Sequence, residues 1–194
     1  MMMLQQSKLP IGYKRLEYIK NGTTSYCLIP TNLYYKKPED NIEIVCLFED
    51  DNSVRLCMVG EYGQQGYLSI GRKGSSFWGY FSSSVIYNWE NYFIPNQTVH
   101  TISASGNSIY ENDNLVFTHT QGGNKYQVKL FGIVNKTTDP ITGVLRIYSC
   151  KLIIDGVEHI LLPAQRKSDG EYGLFNTTTQ EFYTNTGEGT LTGV

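Results

Sequence analysis

The sequence predicts an all-β fold in which two antiparallel sheets pack into a β-sandwich. The first observation is a succession of short apolar runs separated by Gly, Asn, Asp and Pro along the 194 residues. The second is that no stretch of about 11–18 residues keeps an apolar period of 3.6. The third is composition, since Ala, Glu, Lys and Leu do not dominate, whereas Tyr occurs 15 times. About ten or more strands with short connections favour two packed sheets.

Alternation of apolar and polar residues predicts a first strand in which Ile42, Ile44, Cys46 and Phe48 share one face. The other strands are short apolar or β-branched runs bounded by turn residues. The predicted strands, in order, are 42–48, 54–59, 66–71, 77–81, 99–104, 108–110, 115–117, 128–132, 144–153, 157–162, 173–175 and 181–183.

Turn residues predict how several of these strands connect. Asp155-Gly156 is a strong signal for a two-residue hairpin turn, and 112–114 predicts a hairpin between the strands on either side. A last hairpin is predicted through 176–180. The one helical element that the sequence allows is a single turn at 13–19.

A single domain spanning 1–194 is predicted, because no linker, repeat or low-complexity segment interrupts the chain. With 16 Lys+Arg against 18 Asp+Glu, no cationic excess exists to neutralise phosphates, so nucleic acid is not an expected partner. No apolar run approaches the roughly 18 residues of a membrane span, so membrane insertion is not expected. The start, Met1 to Lys8, has neither the basic region nor the apolar core of a signal peptide.

The four cysteines are predicted to be buried free thiols. Cys27, Cys46, Cys57 and Cys150 lie in apolar, strand-like runs and have no C-x-x-C spacing. Neither a disulfide framework nor a zinc site is therefore expected, and synthesis in a reducing cytoplasm fits best.

Both ends of the chain resemble one known family. The opening 9–19 resembles an LPxGYxxLEYI start, and 146–151 resembles an (R/K)IYSCKI strand. The end of the chain resembles the end of the same family, in the same order and at about the same spacing. The matching segments are Leu162-Pro163-Ala164, Gly170-Glu171-Tyr172-Gly173-Leu174-Phe175, Glu181-Phe182-Tyr183 with Asn185, and Gly187-x-Gly189-Thr190-Leu191-x-Gly193. The family is a group of concanavalin A-like, laminin-G-like jelly-roll domains that are common in tailed phages and prophages of gut bacteria.

The resemblance implies a jelly-roll β-sandwich and explains the blocks mainly as a folding signature. Its glycines suit tight turns with positive φ, and Tyr18, Tyr148 and Phe182 are expected to be large buried anchors. The chain departs from the family at Asn176, where relatives mostly have Asp, and at 27–30. No cofactor is predicted, although calcium stays open as an alternative because laminin-G-like domains sometimes carry it at loop ends.

No set of residues in the sequence predicts catalysis or a metal site. Glycosidases need two carboxylates at defined separations, but 49–51 and the pair Glu111 and Asp113 are interpreted as solvated turn acids. Asp155 and Asp169 each precede Gly and fit turns. The three histidines, His100, His119 and His159, are scattered and are expected to be strand residues satisfied by hydrogen bonds. The chain is therefore predicted not to be an enzyme.

Binding is the better prospect, because both tryptophans and several tyrosines occur between 62 and 93. Aromatic faces stack on sugar rings while amides and carboxylates bond the hydroxyls. The alternatives are a protein-contact patch, in which Trp and Tyr are enriched, and residues that are simply buried in the core. The candidate binding surface consists of Tyr62, Tyr67, Trp78, Trp89 and Tyr92.

The leading hypothesis from the sequence is a non-enzymatic virion component of a tailed bacteriophage. It would be a decoration, fibre or tail-associated module that contacts other virion proteins in an oligomeric assembly, located in the virion after synthesis in the host cytoplasm. The alternative is a lectin-like adhesin that binds a host-surface glycan, and a more remote one is a glycosidase-like enzyme.

Overall fold

The computed structural model describes residues 8–22, 27–36, 38–50, 54–59, 68–73, 76–81, 86–118, 124–131 and 143–194. Within these ranges the chain forms β-strands and no helix, and so it has no helix there that could cross a membrane. The strands are β1 (Tyr13–Arg15), β2 (Ile19–Asn21), β3 (Ile29–Tyr35), β4 (Asn41–Phe48), β5 (Val54–Val59), β6 (Leu68–Lys73), β7 (Ser76–Phe81), β8 (Ile86–Phe93), β9 (Val99–Ser105), β10 (Ser108–Glu111), β11 (Asn114–Thr118), β12 (Tyr126–Leu130), β13 (Leu145–Ile154), β14 (Val157–Arg166), β15 (Tyr172–Asn176), β16 (Phe182–Thr184) and β17 (Leu191–Gly193).

The strands form two antiparallel sheets. The larger sheet has eleven strands, in the order β11-β10-β9-β4-β13-β14-β15-β16, with β1 paired to β14, and β2 paired to β13 and β17. The smaller sheet has six, in the order β3-β12-β5-β6-β7-β8. Neighbours such as β4 and β13 are distant in sequence, as the crossovers of a jelly roll require. This architecture confirms the predicted all-β, concanavalin A-like sandwich of two antiparallel sheets.

The core lies between the sheets and follows the alternation that the sequence predicts. On β4, Ile42, Ile44, Cys46 and Phe48 are all buried, as expected. The smaller sheet contributes residues of the same kind, such as Leu68 and Ile70. Because successive strand residues point to opposite faces, each sheet also has an outward face, and the two outward faces differ in chemistry.

The predicted hairpin turns are confirmed by the backbone. Asp155 and Gly156 have φ of 52° and 77°, and they join β13 to β14 with Ile154 opposite Val157. Asn112 and Asp113 have φ of 48° and 65° and join β10 to β11. Two consecutive positive φ values match the two-residue turn whose twist fits the strands.

The predicted helical turn at 13–19 is wrong, because two short strands, β1 and β2, occupy this segment. β1 pairs with β14, with Tyr13 opposite Arg166, and β2 pairs with β13. These partners lie more than a hundred residues away in sequence, so pairing across the sheet overrides the local period. The strand β3 was also missed. It contains Pro30, which lowers strand propensity, but β3 is an edge strand of the smaller sheet, where proline is tolerated.

The glycines of the family-like ending have two different physical explanations. Gly170 has a φ of 76°, as expected of a turn glycine. Gly173 instead lies where β16 approaches β15 closely. A Cβ there would overlap the carbonyl oxygen of Tyr183 and lie 2.9 Å from the ring of Phe182. Strand packing, and not backbone conformation, therefore requires this glycine.

Three of the four cysteines are buried free thiols, as predicted. Cys27, Cys46 and Cys150 are 1% exposed or less, whereas the side chain of Cys57 lies outside the described residues. Burial raises the pKa of Cys27 to about 11, and it raises the pKa of Cys46 further. Both thiols are therefore protonated and inert at neutral pH.

Candidate functional site

The outward face of the smaller sheet carries rows of residues from several strands. Leu68 and Ile70 point into the core, so Ser69 and Gly71 lie on the opposite side of their strand, where both are nevertheless buried. One row of paired residues passes through Gly71 and crosses four strands. Gly71 on β6 is opposite Arg55 on β5 and Trp78 on β7, and Trp78 is in turn opposite Asn88 on β8. Its members are Arg55, Gly71, Trp78 and Asn88.

Two more rows lie beside it. In the register, Lys129 is opposite Met58, Met58 is opposite Ser69, and Ser69 is opposite Tyr80. On the next pair of strands, Gln127 is opposite Tyr34. The face thus combines aromatic, amide and cationic residue types, which is the mixture that carbohydrate sites use.

The described side chains of this face are accessible toward the β3 edge. Tyr34 is 50% exposed. The amide of Gln127 donates to the carbonyl oxygen of Thr31 at 2.7 Å, which holds it beside Tyr34. Lys129 is half-buried and has no ion pair with the residues that the structure describes. Nothing local in the sequence indicated these three residues, because β3 and β12 are almost a hundred residues apart.

The structure places three of the five sequence-predicted binding residues on neighbouring strands. Trp78 is on β7, while Trp89 and Tyr92 are on β8, the edge strand that pairs with β7. Trp89 directly follows Asn88, the residue opposite Trp78. Tyr62 and Tyr67 lie outside the described residues, as do the side chains of the other three.

The outward face of the larger sheet holds a cluster in which charges are paired. Glu49 accepts from Lys20 at 3.4 Å and also from the guanidinium of Arg146. That guanidinium stacks on Tyr18, 4.5 Å from the ring centroid, and Tyr18 meets Tyr148 edge to face. The hydrogen bond from Arg146 to Glu49 is the main reason that the pKa of Arg146 is raised.

Two expectations about this cluster are wrong. Glu49 is not a solvated turn acid, because its side chain is only 18% exposed and has two cationic partners. Tyr18 and Tyr148 are half-buried on the outward face, and so they are not core anchors. Their partners come from strands far away in sequence, which a local reading cannot reveal.

A second correction concerns Glu111, which was interpreted as a solvated acid at a hairpin tip. Its carboxylate lies 2.7 Å from Nδ1 of His100, and Nε2 of His100 lies 2.9 Å from the carbonyl oxygen of Pro95. The carbonyl oxygen of Pro95 can only accept, so Nε2 of His100 donates to it, and Nδ1 is hydrogen-bonded to the carboxylate of Glu111. Cys46 is opposite His100 in the register, but both are at most 1% exposed. This cysteine–histidine–glutamate arrangement is closed to substrate.

A third polar network lies between the sheets where β16 approaches β3. Asn176, which stands where the family mostly has Asp, is buried and donates to Nδ1 of His159 at 3.3 Å. The hydroxyl of Tyr183 donates to Glu181 at 2.7 Å, and the amide of Asn32 donates to the same carboxylate at 3.1 Å.

This network is a structural one. Hydrogen bonds from Tyr183, Asn32 and Thr179 lower the pKa of Glu181, whereas burial raises the pKa of Tyr183. Asn176 accepts from the backbone of Thr178 at 3.0 Å, so it organises the turn between β15 and β16. His100 and His159 are thus strand residues satisfied by hydrogen bonds, as predicted, and His119 lies outside the described residues.

The acids considered for calcium have other roles among the described residues. Asp155 pairs with Lys125, and Asp169 pairs with Arg166 at 2.7 Å. The hydrogen bond from Arg166 lowers the pKa of Asp169. In the described part of the chain, no three His, Cys, Asp or Glu side chains are grouped as a metal site would need.

The fold defines the class of the protein as a jelly-roll β-sandwich, and this class can be compared with known proteins. No protein-family profile and no curated protein matches the chain. Among solved structures it is similar to alginate lyase AlgAT5 from Polysaccharide Lyase family 7, with 15% identity and a TM-score of 0.41. The match covers 58% of this chain and 57% of the lyase, so the chain spans little more than half the length of that protein.

The prediction that the chain is a non-enzymatic component of a phage virion is wrong. The solved structure named above is an enzyme and not a phage structural protein. The physical reason for the error is that the family-like blocks encode turns, strand contacts and hydrogen bonds, which proteins of different function share. At this level of identity the likeness concerns the fold, and no residue role is transferred from the lyase. The prediction that the chain is not an enzyme stays a prediction, and so do the predicted virion partners and location.

Proposed function

We propose that the chain is a carbohydrate-binding β-sandwich whose ligand lies across the outward face of the smaller sheet. The observation that carries the proposal is the cross-strand row of Arg55, Gly71, Trp78 and Asn88. An aromatic residue suits stacking on a sugar ring, and an amide and a guanidinium suit bonds to its oxygens.

The accessible end of the face supports the same function. Tyr34 is half exposed and lies opposite Gln127, so an aromatic ring and an amide again occur side by side. Of the aromatic residues selected from the sequence, Trp78 occupies a position in the cross-strand row. A polymer lying across the strands would contact several sugar-sized positions, and many weak contacts along one chain add up in affinity.

A glycan array followed by calorimetric titration of the best ligand tests this proposal. Trp78→Ala should weaken binding at least about tenfold, by analogy with the roughly 1–3 kcal/mol that one aromatic ring contributes when it stacks on a nucleic-acid base. Tyr34→Ala should weaken it less. Tyr148→Ala, which removes an aromatic ring from the larger sheet, is the matched control and should leave affinity unchanged.

Thermal unfolding of each variant separates loss of binding from loss of fold. Tyr34→Ala is the safer variant, because its half-exposed ring contributes little to the core. Binding to no glycan, or binding that survives both Trp78→Ala and Tyr34→Ala in folded protein, would exclude this face as a carbohydrate site.

A further inference from the structure

The edge strand β8 of the smaller sheet contains a wide bulge, which we call the β8 bulge and which consists of residues 89–92. Asn88 is opposite Trp78 and Phe93 is opposite Ser76, so these four residues of β8 face a single residue of β7. The three extra residues correspond to roughly 10 Å of extended backbone, at about 3.3 Å per residue. The chain must therefore leave the line of the ladder here, and such a bulge changes the direction in which residues are presented.

The opposite edge of the same sheet has a bulge with a structural explanation. Residues 31–33 of β3 face one residue of β12, Val128. The hydroxyl of Thr31 donates to the carbonyl oxygen of Val128 at 2.9 Å, and the amide of Asn32 donates to Glu181 beside β16 at 3.1 Å. The β3 bulge therefore helps to close the sandwich against the larger sheet. In the described part of the chain, no strand of the larger sheet lies along β8 in this way.

The residue types of the β8 bulge are those that recognise sugars. The segment reads Trp89-Glu90-Asn91-Tyr92. Aromatic rings suit stacking on a sugar ring, and an amide both donates and accepts hydrogen bonds. A carboxylate has two accepting oxygens and can therefore accept from two neighbouring hydroxyl groups at once. The segment thus combines, within four residues, the groups that bind the ring and the groups that distinguish its hydroxyls.

The β8 bulge also begins at the end of the row that is proposed to bind carbohydrate. Asn88 is the last member of that row, and Trp89 directly follows it. We propose that the β8 bulge selects the sugar, by binding a unit that has two adjacent free hydroxyl groups, while the row through Trp78 supplies the stacking surface. The inference rests on the proposed carbohydrate function and adds a specificity-determining segment to it.

A matched pair of polysaccharides tests whether free hydroxyl groups are recognised. The best-binding polysaccharide of the glycan array is titrated by calorimetry beside its O-methylated form, which keeps the sugar rings and removes the hydroxyl donors. The parent protein should bind the free form at least about tenfold more tightly. Glu90→Ala should reduce this preference to about threefold or less, whereas Glu43→Ala, at an exposed position on the larger sheet, should leave it unchanged.

Hydrogen exchange locates the contact without any substitution, and so it does not depend on how well a variant folds. The backbone amides of residues 89–92 form no ladder pairs with β7, and they should exchange rapidly in the free protein. The same polysaccharide should slow their exchange about tenfold or more.

The possible outcomes separate this inference from the carbohydrate function itself. If Trp78→Ala weakens binding while the exchange of residues 89–92 is unaffected by the polysaccharide, the inference is overturned and the carbohydrate function stands. An unchanged preference for free hydroxyl groups in folded Glu90→Ala would likewise overturn the inference alone. An empty glycan array for the parent protein would overturn both.

Discussion

The two outward faces of the sandwich differ in how they treat their charges. On the larger sheet, Glu49 binds both Lys20 and Arg146, and the ring of Tyr18 lies under the same guanidinium. On the smaller sheet, half-buried Lys129 has no ion pair within the described residues. A face that satisfies its own charged groups stabilises the fold, whereas a face that leaves them unsatisfied is suited to a ligand. The proposed function divides the roles in the same way, with stability on the larger sheet and binding on the smaller one.

The strongest test of this division of roles is Gly173→Ala in the larger sheet. The added methyl group would overlap the carbonyl oxygen of Tyr183 and press on the ring of Phe182, and backbone cannot move aside cheaply. We expect a loss of about 3 kcal/mol in the free energy of unfolding, measured by urea denaturation. Gly12→Ala is the control, because a Cβ there meets no atom within 4 Å, and it should change stability by less than about 0.5 kcal/mol.

This variant also tests the separation of roles. If Gly173→Ala still folds at low temperature, its affinity for the glycan should match that of the parent protein. A fall in affinity as large as that of Trp78→Ala in the folded variant would mean that the two sheets do not act separately.

An intermediate effect is expected from Glu49→Gln, which leaves Lys20 and Arg146 without their carboxylate. Because both ion pairs are partly exposed, the loss in the free energy of unfolding should be about 1 kcal/mol and should shrink at high salt. Glu39→Gln removes the exposed pair with Lys36 and should change stability by less than about 0.5 kcal/mol. Equal effects of the two variants would contradict the structural role assigned to Glu49.

The smallest effect is a pH dependence that arises from Glu181. Its pKa is lowered in the folded protein by hydrogen bonds from Tyr183, Asn32 and Thr179, so the unfolded chain binds the proton more tightly. The stabilisation is therefore complete above the unfolded pKa, near 4.3 in peptides, and is lost as the pH falls through the folded value. In Glu181→Gln the melting temperature should fall less steeply as the pH is lowered. The corresponding change in the free energy of unfolding should be less than about 1 kcal/mol.

Tyr183→Phe checks the cause of that effect. It removes the hydroxyl that donates to Glu181 at 2.7 Å, so part of the lowering of the pKa should disappear and the melting temperature should again fall less steeply as the pH is lowered. If the melting temperature of both variants falls with decreasing pH as steeply as that of the parent protein, other carboxylates control the stability at low pH.

The sequence predicts the local parts of this structure well. The turns at Asp155-Gly156 and Asn112-Asp113 depend on residues that adopt positive φ at low cost, and neighbouring residues are enough to recognise them. The buried alternation on β4 is likewise a property of one segment. Local patterns of this kind are sufficient to predict an all-β sandwich.

Pairing between distant strands was not predictable in the same way. Glu49 looks like a turn acid until β13 brings Arg146 beside it, and Glu111 looks solvated until the neighbouring strand β9 brings His100 beside it. The register also contains bulges, for example between Arg55 and Cys57, and one extra residue changes which side chains share a face. The row that contains Trp78 therefore required the structure, although Trp78 itself was selected from the sequence.

The pairing of β1 with β14 has a consequence for the synthesis of the protein. Tyr13 lies opposite Arg166, and the backbone of Leu28 bonds to Asn185, 157 residues further along the chain. Ribosomes add about 5–20 residues per second, so β1 remains without its partner for on the order of ten seconds after it emerges. Contacts of such long sequence separation also slow folding itself. During this interval the apolar strands made first are exposed, and we expect a newly made chain to depend on chaperones until β14 is complete.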